Sequence, residues 1–450
     1  MIKNAIFLVE EIIDGHPISL YEKVSWKLYQ ELKNGPRPLL WLTEVPRLLS
    51  SSQSPCIEFM TVKDFMQDVS NGGWPEDRNV FYYIACRYTL QLTNPTDFLL
   101  IDSDVLKFLA EKKIPIILDS SCEQINHYEV GYDLFQHPKH DWIYDRPELE
   151  ILKQIPFIIV GSTDIPYGKN TVSKVDAKFT FFPSGFFFYN YKGSKYNQSL
   201  LDHQQDVLDR IKQKQINDQT FIWEMWHNEP RWYRTLFQLK AEHEKLTGPI
   251  GRYSRLNKCR QRLVNFMTNN NQPHGVCAEA VGHPYFSFLD STRLDSADEV
   301  KILNTTAPWP RETDCNFVLD DVDTMFYVAA ETCEPRFYND IINSTSNLTE
   351  KSTIRITSGQ AFIPLGGQNL GSILKDLGFK DFRKLEWHNE SNVFDEIDYI
   401  LDRIRDISSL SLFAKQNLYE EWKENLTHNF NHYINVDIAK EYLRHLYNAN

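Results

Sequence analysis

Apolar residues in the first third of the chain fall in short solid runs, and the polar stretches between them carry helical spacing. Residues 4–10 (NAIFLVE) predict a strand. Ser19 with Glu22 three places on forms a capping box, and Leu20, Val24, Leu28 and Leu32 line one helical face. Gly35-Pro36 stops that helix and residues 39–42 resume a strand, which together predict a βαβ unit. The alternation continues with a strand at 80–85, a helix at 104–112, a strand at 114–118 ending at Asp119, and a strand at 156–160 ending at Gly161. Strands apolar on both faces, separated by helical patterns, indicate a parallel sheet covered on each side.

The aromatic stretch 179–191 reads either as strands or as an aromatic patch, with core packing the default for its phenylalanines. A polar helix follows at 202–215, and a boundary is expected near 214–219. A second α/β series then runs through a strand at 220–226, helix 231–245, a basic segment 252–262, strand 324–330, a helix from Glu350, strand 361–365 and helix 369–377. Helical patterns fill 392–407 and the region from 410 onward. Residues 431–450 are expected to cross back to the first domain.

Length and composition agree with this picture. A chain of 450 residues exceeds one ordinary core, and 42% hydrophobic residues supply ample surface to bury. The net charge of -13 disfavours a whole-molecule affinity for nucleic acid, although it leaves a local basic stripe open. The cysteines number seven, an odd count with no CxxC pair, so they read as reduced thiols in a cytoplasmic interior and give no metal-like spacing. Neither a signal h-region nor a membrane-spanning run of roughly 18 apolar residues is present, so no membrane insertion is expected. No GxGxxG, P-loop, GxSxG or HExxH motif occurs, which removes the motif support for hydride transfer, P-loop hydrolysis, serine hydrolysis and zinc proteolysis.

Candidate chemistry gathers where predicted strands hand over to helices. Arg231 and Arg234 share a face in the first turn of the helix after the 220–226 strand, where free N–H groups, the dipole and two guanidinium forks suit a diphosphate. Solvated arginines paired with Glu229 or Glu224 are the alternative. Thr349 is a plausible N-cap that puts Lys351 in a first helical turn, where a cation is unfavourable without an anion. Glu350 suits ribose hydroxyls or plain dipole compensation. Gly366-Gly367 permits close approach of the backbone to a ligand, or a simple turn. In the first domain Asp14, His16 and Asp119 follow or end strands, and each is a candidate general base for an acceptor hydroxyl or else a turn or cap residue.

From Phe221 onward the chain resembles a group of phage-type glycosyltransferases. The resemblance rests on Glu331-Thr332, Thr349-Glu350-Lys351, Ala361 to Gly367 (AFIPLGG), Leu374 to Phe382 (LKDLGFKDF), Glu396-Ile397-Asp398, an Asn228/Arg231/Arg234 segment and His428-Asn429. The family pattern reads ET…TEK…PFI-x-x-G…LGFKTF…DEI-x-D. The Thr349-Glu350-Lys351 triplet is also similar to the donor motif of α1,3-fucosyltransferases. The chain departs from the pattern at Ser352 to Ile356 (STIRI), in the long gap between Glu331 and Thr349, and at Asp381, where a threonine is common.

The resemblance implies a GT-B-like fold of two Rossmann-like α/β domains facing a central cleft. An acceptor-side domain would span 1–215, a donor domain 216–430 and a crossing helix 431–450. It implies transfer of a hexosyl or pentosyl group from a nucleotide sugar to a glycan or a modified DNA base such as a hydroxymethyl pyrimidine, with no metal and no cofactor. Lys351 would contact donor phosphate, Glu350 the ribose, and Arg231 or Arg234 a second phosphate oxygen. Glu331, Thr349, Gly366 and Gly367 complete the donor set. A degenerate module that binds a nucleotide or glycan without turnover is the alternative.

Overall fold

In the computed structural model strand β1 (Ala5–Val9) is buried at every position, as a strand covered on both faces must be. The structure describes residues 4–13, 16–18, 48–49, 56–85, 101–120, 151, 154–161, 177–190, 195–225, 232–246, 323–331, 348–366, 369–388 and 393–448. The chain divides into two units, Met1–Ser194 together with Val436–Asn450, and Lys195–Asn435.

In the first unit, β1 leads into an antiparallel pair, β2 (Glu11–Ile13) and β3 (His16–Ile18), with Ile13 opposite His16. There follow β4 (Ile57–Thr61), α1 (Val62–Ser70), β5 (Asn79–Ala85), α2 (Ser103–Lys112), β6 (Ile116–Ser120), β7 (Phe157–Gly161) and β8 (Ala177–Phe181). The sheet order is β4-β1-β5-β6-β7-β8, and every pairing in it is parallel. Successive side chains of a strand point to opposite faces. Ile6, Leu8, Tyr82, Ile84, Ile116 and Leu118 thus join Val62 and Phe65 of α1 and Val105, Leu106 and Leu109 of α2 in one core. Asp102 caps α2 by accepting the Asp104 N–H at 2.8 Å, and Lys113 ends it in the left-handed region at φ 53°.

The aromatic stretch resolves into β8 and a 3-10 helix, Ser184–Asn190, with Phe182, Phe186 and Phe187 buried. The edge strand β4 and α1 have no counterpart in the sequence reading, because only Ile57 of β4 is buried and the strand gives no solid apolar run.

The second unit opens with α3 (Lys195–Asp202) and α4 (Gln204–Gln213). It continues with β9 (Phe221–Met225), α5 (Trp232–His243), β10 (Thr324–Ala330), α6 (Glu350–Thr357), β11 (Phe362–Leu365), α7 (Leu370–Asp376), α8 (Val393–Ser408) and α9 (Leu412–Asn435). Its sheet, β11-β10-β9, is parallel, with Ala330 paired to Leu365 and Val328 to Met225.

The sequence reading placed the boundary at 215/216; the contacts place it ahead of α3. The reason is packing: a Cβ on Gly359 would come within 2.6 Å of Ile211 of α4, and Lys423 of α9 donates to the Lys212 carbonyl at 2.8 Å.

The final helix, α10 (Ile438–Tyr447), belongs to the first unit. It covers the sheet face opposite α1 and α2, with the Tyr442 ring 6.1 Å from Phe7 and 5.0 Å from Phe182. Thr180 Oγ1 donates to the His445 carbonyl at 2.8 Å.

Candidate functional site

The carboxyl ends of β10 and β11 carry a buried polar cluster in the second unit. β10 is apolar and buried through Ala330, and Glu331 extends its ladder by donating its N–H to the Leu365 carbonyl at 2.7 Å. The Glu331 side chain has 0% exposure. Its carboxylate accepts the Thr349 N–H at 3.1 Å, the Thr349 hydroxyl, and the Ser352 N–H at 3.0 Å. The start of α6 is thus an anion site whose anion comes from the protein itself.

This alters the meaning of Lys351. Thr349 is the N-cap of α6, as its residue type predicts, accepting the Lys351 N–H at 3.4 Å. The half-buried Lys351 turns back so that Nζ donates to Thr349 Oγ1 at 3.2 Å. A cation in a first helical turn opposes the dipole by about 0.3–1 kcal/mol. Here the buried carboxylate, reached through one hydroxyl, offsets that penalty. The mismatch that points to a ligand from sequence alone has an internal partner in the fold.

Arg234, expected as a phosphate ligand, is instead 2% exposed. Its Nη2 donates to the Ala330 carbonyl at 2.9 Å and the Glu331 carbonyl at 3.0 Å. The preceding Tyr233 also gives its hydroxyl to the Glu331 carbonyl. In this geometry Arg234 braces the end of β10, because its place in the first turn of α5 directs it under the sheet edge rather than to solvent.

Gly366 stands at φ 132°, and a Cβ there would lie 3.0 Å from the Glu331 carbonyl oxygen. Glycine is therefore required at this close approach of two strand ends. Its N–H donates at 2.9 Å to Glu396 Oε1, which also lies 3.1 Å from His388 Nε2. His388 Nε2 is 3.1 Å from the Pro364 carbonyl. Neither Glu396 nor His388 enters the sequence-derived site list, although Glu396 opens one of the family-like motifs.

The motifs behind the resemblance thus meet in pairs. Glu331 holds the Thr349-Glu350-Lys351 helix start, and Glu396 holds the glycine turn. Asn429 brackets Lys380 with bonds of 2.8 and 2.7 Å to its N–H and carbonyl, and His428 Nε2 lies 3.0 Å from the Gly378 carbonyl. Asp381, at a position where the pattern has threonine, pairs with Lys375 at 2.7 Å.

The remaining candidates divide as follows. Asp14, Arg231 and Gly367 lie outside the described residues. Glu350 begins α6, and His16 begins β3 just beyond the carboxyl end of β1. Asp119 is 1% exposed, and its Oδ2 accepts the hydroxyls of Tyr83 at 2.8 Å and Tyr442 at 2.6 Å. It therefore stitches β6 to β5 and α10. At the end of β1, Glu10 accepts the Tyr82 hydroxyl, and the Tyr82 phenol is held well above its ordinary pKa by burial and then by the Glu10 charge. Among the described residues no group of His, Cys, Asp and Glu is arranged for a metal ion, and no helix is long and apolar enough to cross a membrane.

No protein-family model matches this chain, and no curated protein is similar to it at a significant level. One solved structure, an alpha,alpha-trehalose-phosphate synthase (UDP-forming) from Burkholderia vietnamiensis, aligns over 100% of this chain and 98% of that one, with 11% identity and a TM-score of 0.26. A likeness of that size carries no argument about fold or activity.

Proposed function

We propose that this chain is a metal-independent glycosyltransferase whose Lys351 meets a nucleotide-diphosphate sugar at the carboxyl edge of the β9-β10-β11 sheet. One observation carries the reading: Lys351 stands at the positive end of a helix, at the carboxyl edge of a parallel β9-β10-β11 sheet, with its ammonium beside the N-cap hydroxyl. Open α/β sheets bind ligands at that edge. The ordered likeness of the surrounding motifs to phage-type glycosyltransferases supports it.

Lys351 is assigned to the donor diphosphate, Glu350 to the ribose hydroxyls and Arg231 to a second phosphate oxygen. In the transfer, a base removes the acceptor hydroxyl proton, the acceptor oxygen bonds to the anomeric carbon, and the bond to the diphosphate breaks with its electron pair on the leaving group. Fixed positive charge at that leaving group lowers the barrier. Asp14 and His16 are the candidate bases. The acceptor is a glycan or a hydroxymethylated pyrimidine of DNA, and the net charge of -13 favours the glycan.

The test is to incubate purified protein with a panel of nucleotide sugars and acceptors, following nucleotide release and glycosylated product. Lys351→Ala should lower kcat/KM by about 10²–10³-fold, the range for loss of one charge-stabilising donor. Absence of binding for every nucleotide sugar by calorimetry, with Lys351→Ala indistinguishable from wild type, rejects the reading.

A second reading, a module that binds nucleotide or glycan without turnover, is favoured by the Glu331 carboxylate at the helix start and by the inward Arg234. Saturable binding with no product over hours selects it.

A further inference from the structure

We infer that the first unit has a ligand site of its own at the carboxyl ends of β1 and β5, where Glu10, positioned by Tyr82, takes the hydroxyls of an uncharged saccharide. The order of the strands and the charge at that edge of the sheet carry the inference.

From β1 the chain goes to β4 on one side and then to β5 on the other side of β1, with β6, β7 and β8 following outward. β1 and β5 are therefore neighbours from which the chain runs in opposite directions along the sheet. An open parallel sheet binds ligands at such a reversal, outside the carboxyl ends of the two strands. Glu10 is the first residue beyond β1, and alternation puts it on the face that carries Ile6 and Leu8. Leu8 is level with Tyr82 of β5, and Tyr82 gives its hydroxyl to Glu10 Oε1. Tyr82 has no exposure whereas Glu10 is half-buried, so a ligand meets the carboxylate and not the phenol. Burial and the Glu10 charge keep the phenol protonated, as the donor. A carboxylate offers about four lone-pair positions, and the Tyr82 bond uses one of them.

The charge at this edge selects the ligand. Helix starts there attract phosphate when nothing else fills them, but the two described in this unit already carry carboxylates. Thr61 caps α1 with Asp64 in its first turn, and Asp102 caps α2 with Asp104 in its first turn. Glu11 follows Glu10, Lys107 pairs with Asp104 at 3.2 Å, and Lys63 of α1 is exposed. A phosphate placed at Glu10 meets like charge, while a sugar hydroxyl donates to it. In the transferase reading, on which this one step rests, the saccharide is the acceptor and DNA is disfavoured.

The experiment titrates the full chain with glucose, galactose, N-acetylglucosamine and maltose by saturation-transfer NMR, with inorganic phosphate as the charged competitor. Wild type, Glu10→Gln, Tyr82→Phe and the double variant are compared, and circular dichroism gives their thermal midpoints. At least one saccharide should bind wild type saturably, and Glu10→Gln should weaken it about tenfold, the scale of a hydrogen bond to a charged group. Tyr82→Phe should weaken binding severalfold alone and add nothing in the Glu10→Gln background, because it acts through Glu10. A merely structural hydroxyl would lower the midpoint and act alike in both backgrounds. The inference is overturned if no saccharide binds, if Glu10→Gln binds as wild type does, or if phosphate displaces the saccharide. Should Glu10→Gln fail to fold, Tyr82→Phe keeps its ring in the core and decides, unchanged affinity overturning the site. Glu10-dependent saccharide binding in a chain that binds no nucleotide sugar leaves this site standing and removes the transferase reading. Sugar transfer with an acceptor KM unmoved by Glu10→Gln does the reverse.

Discussion

Ser352 donates its backbone N–H to Oε1 of Glu331 at 3.0 Å, across 21 positions of sequence. With the Thr349 N–H and hydroxyl on Oε2, the bond makes one glutamate both the last residue of the β10 ladder and the anion at the head of α6. Glu331→Ala therefore removes the acceptor of three buried donors. The expected loss is on the order of 3 kcal/mol in urea unfolding, within the range for breaking a buried charged network. A change under 1 kcal/mol would show that water replaces the carboxylate without strain.

Gly366→Ala combines a backbone at φ 132° with a Cβ 3.0 Å from the Glu331 carbonyl. Strain of this kind is worth about 1–3 kcal/mol. The variant should lose that much stability by denaturant titration. Glu396→Ala, which removes the acceptor of the Gly366 N–H, should lose a similar amount, and the double variant should lose less than the sum because both act on one turn.

Asp119 joins Tyr83 and Tyr442 through the same oxygen. Tyr442→Phe should destabilise the first unit by about 1.5 kcal/mol, the usual size for a hydrogen bond to a charged group. Its effect should shrink to a few tenths in an Asp119→Ala background, measured as a double-mutant cycle. Full additivity would mean that the two residues do not share that bond.

His445 is driven down from 6.5 to about 4, first by burial and then by the Arg444 charge. Its charged form is disfavoured in the folded state, so the unfolded chain binds more protons between those values. Stability should fall as the pH drops from 6.5 towards 4 and level off below that, by an upper bound of about 3 kcal/mol from this group. His445→Gln should flatten that part of the pH profile in chemical denaturation while leaving the profile above pH 7 unchanged.

Much of the secondary structure was legible because its signals are local. The runs that became β1, β5, β6, β7, β9, β10 and β11 are solid apolar stretches, and each lies within a residue or two of its expected place. The edge strand β4, with only Ile57 buried, left no such mark. The site was less legible, for a physical reason. Thr349 as an N-cap follows from residue type and spacing, whereas the partner of Lys351 is set by Glu331, 18 positions before Thr349 and on another element. Arg234 reads as a phosphate ligand because it shares a first-turn face with Arg231, yet the carbonyls it reaches, Ala330 and Glu331, lie nearly a hundred positions away. Glu396 and His388 escaped the same way, since a buried carboxylate and imidazole are recognised only by what they touch.

The first unit takes its closing helix, α10, from beyond Asn435, so the whole of the second unit is threaded between two parts of the first. A chain cut after Asn435 would leave Asp119 without Tyr442 and strip from Phe7 and Phe182 the ring that packs on them.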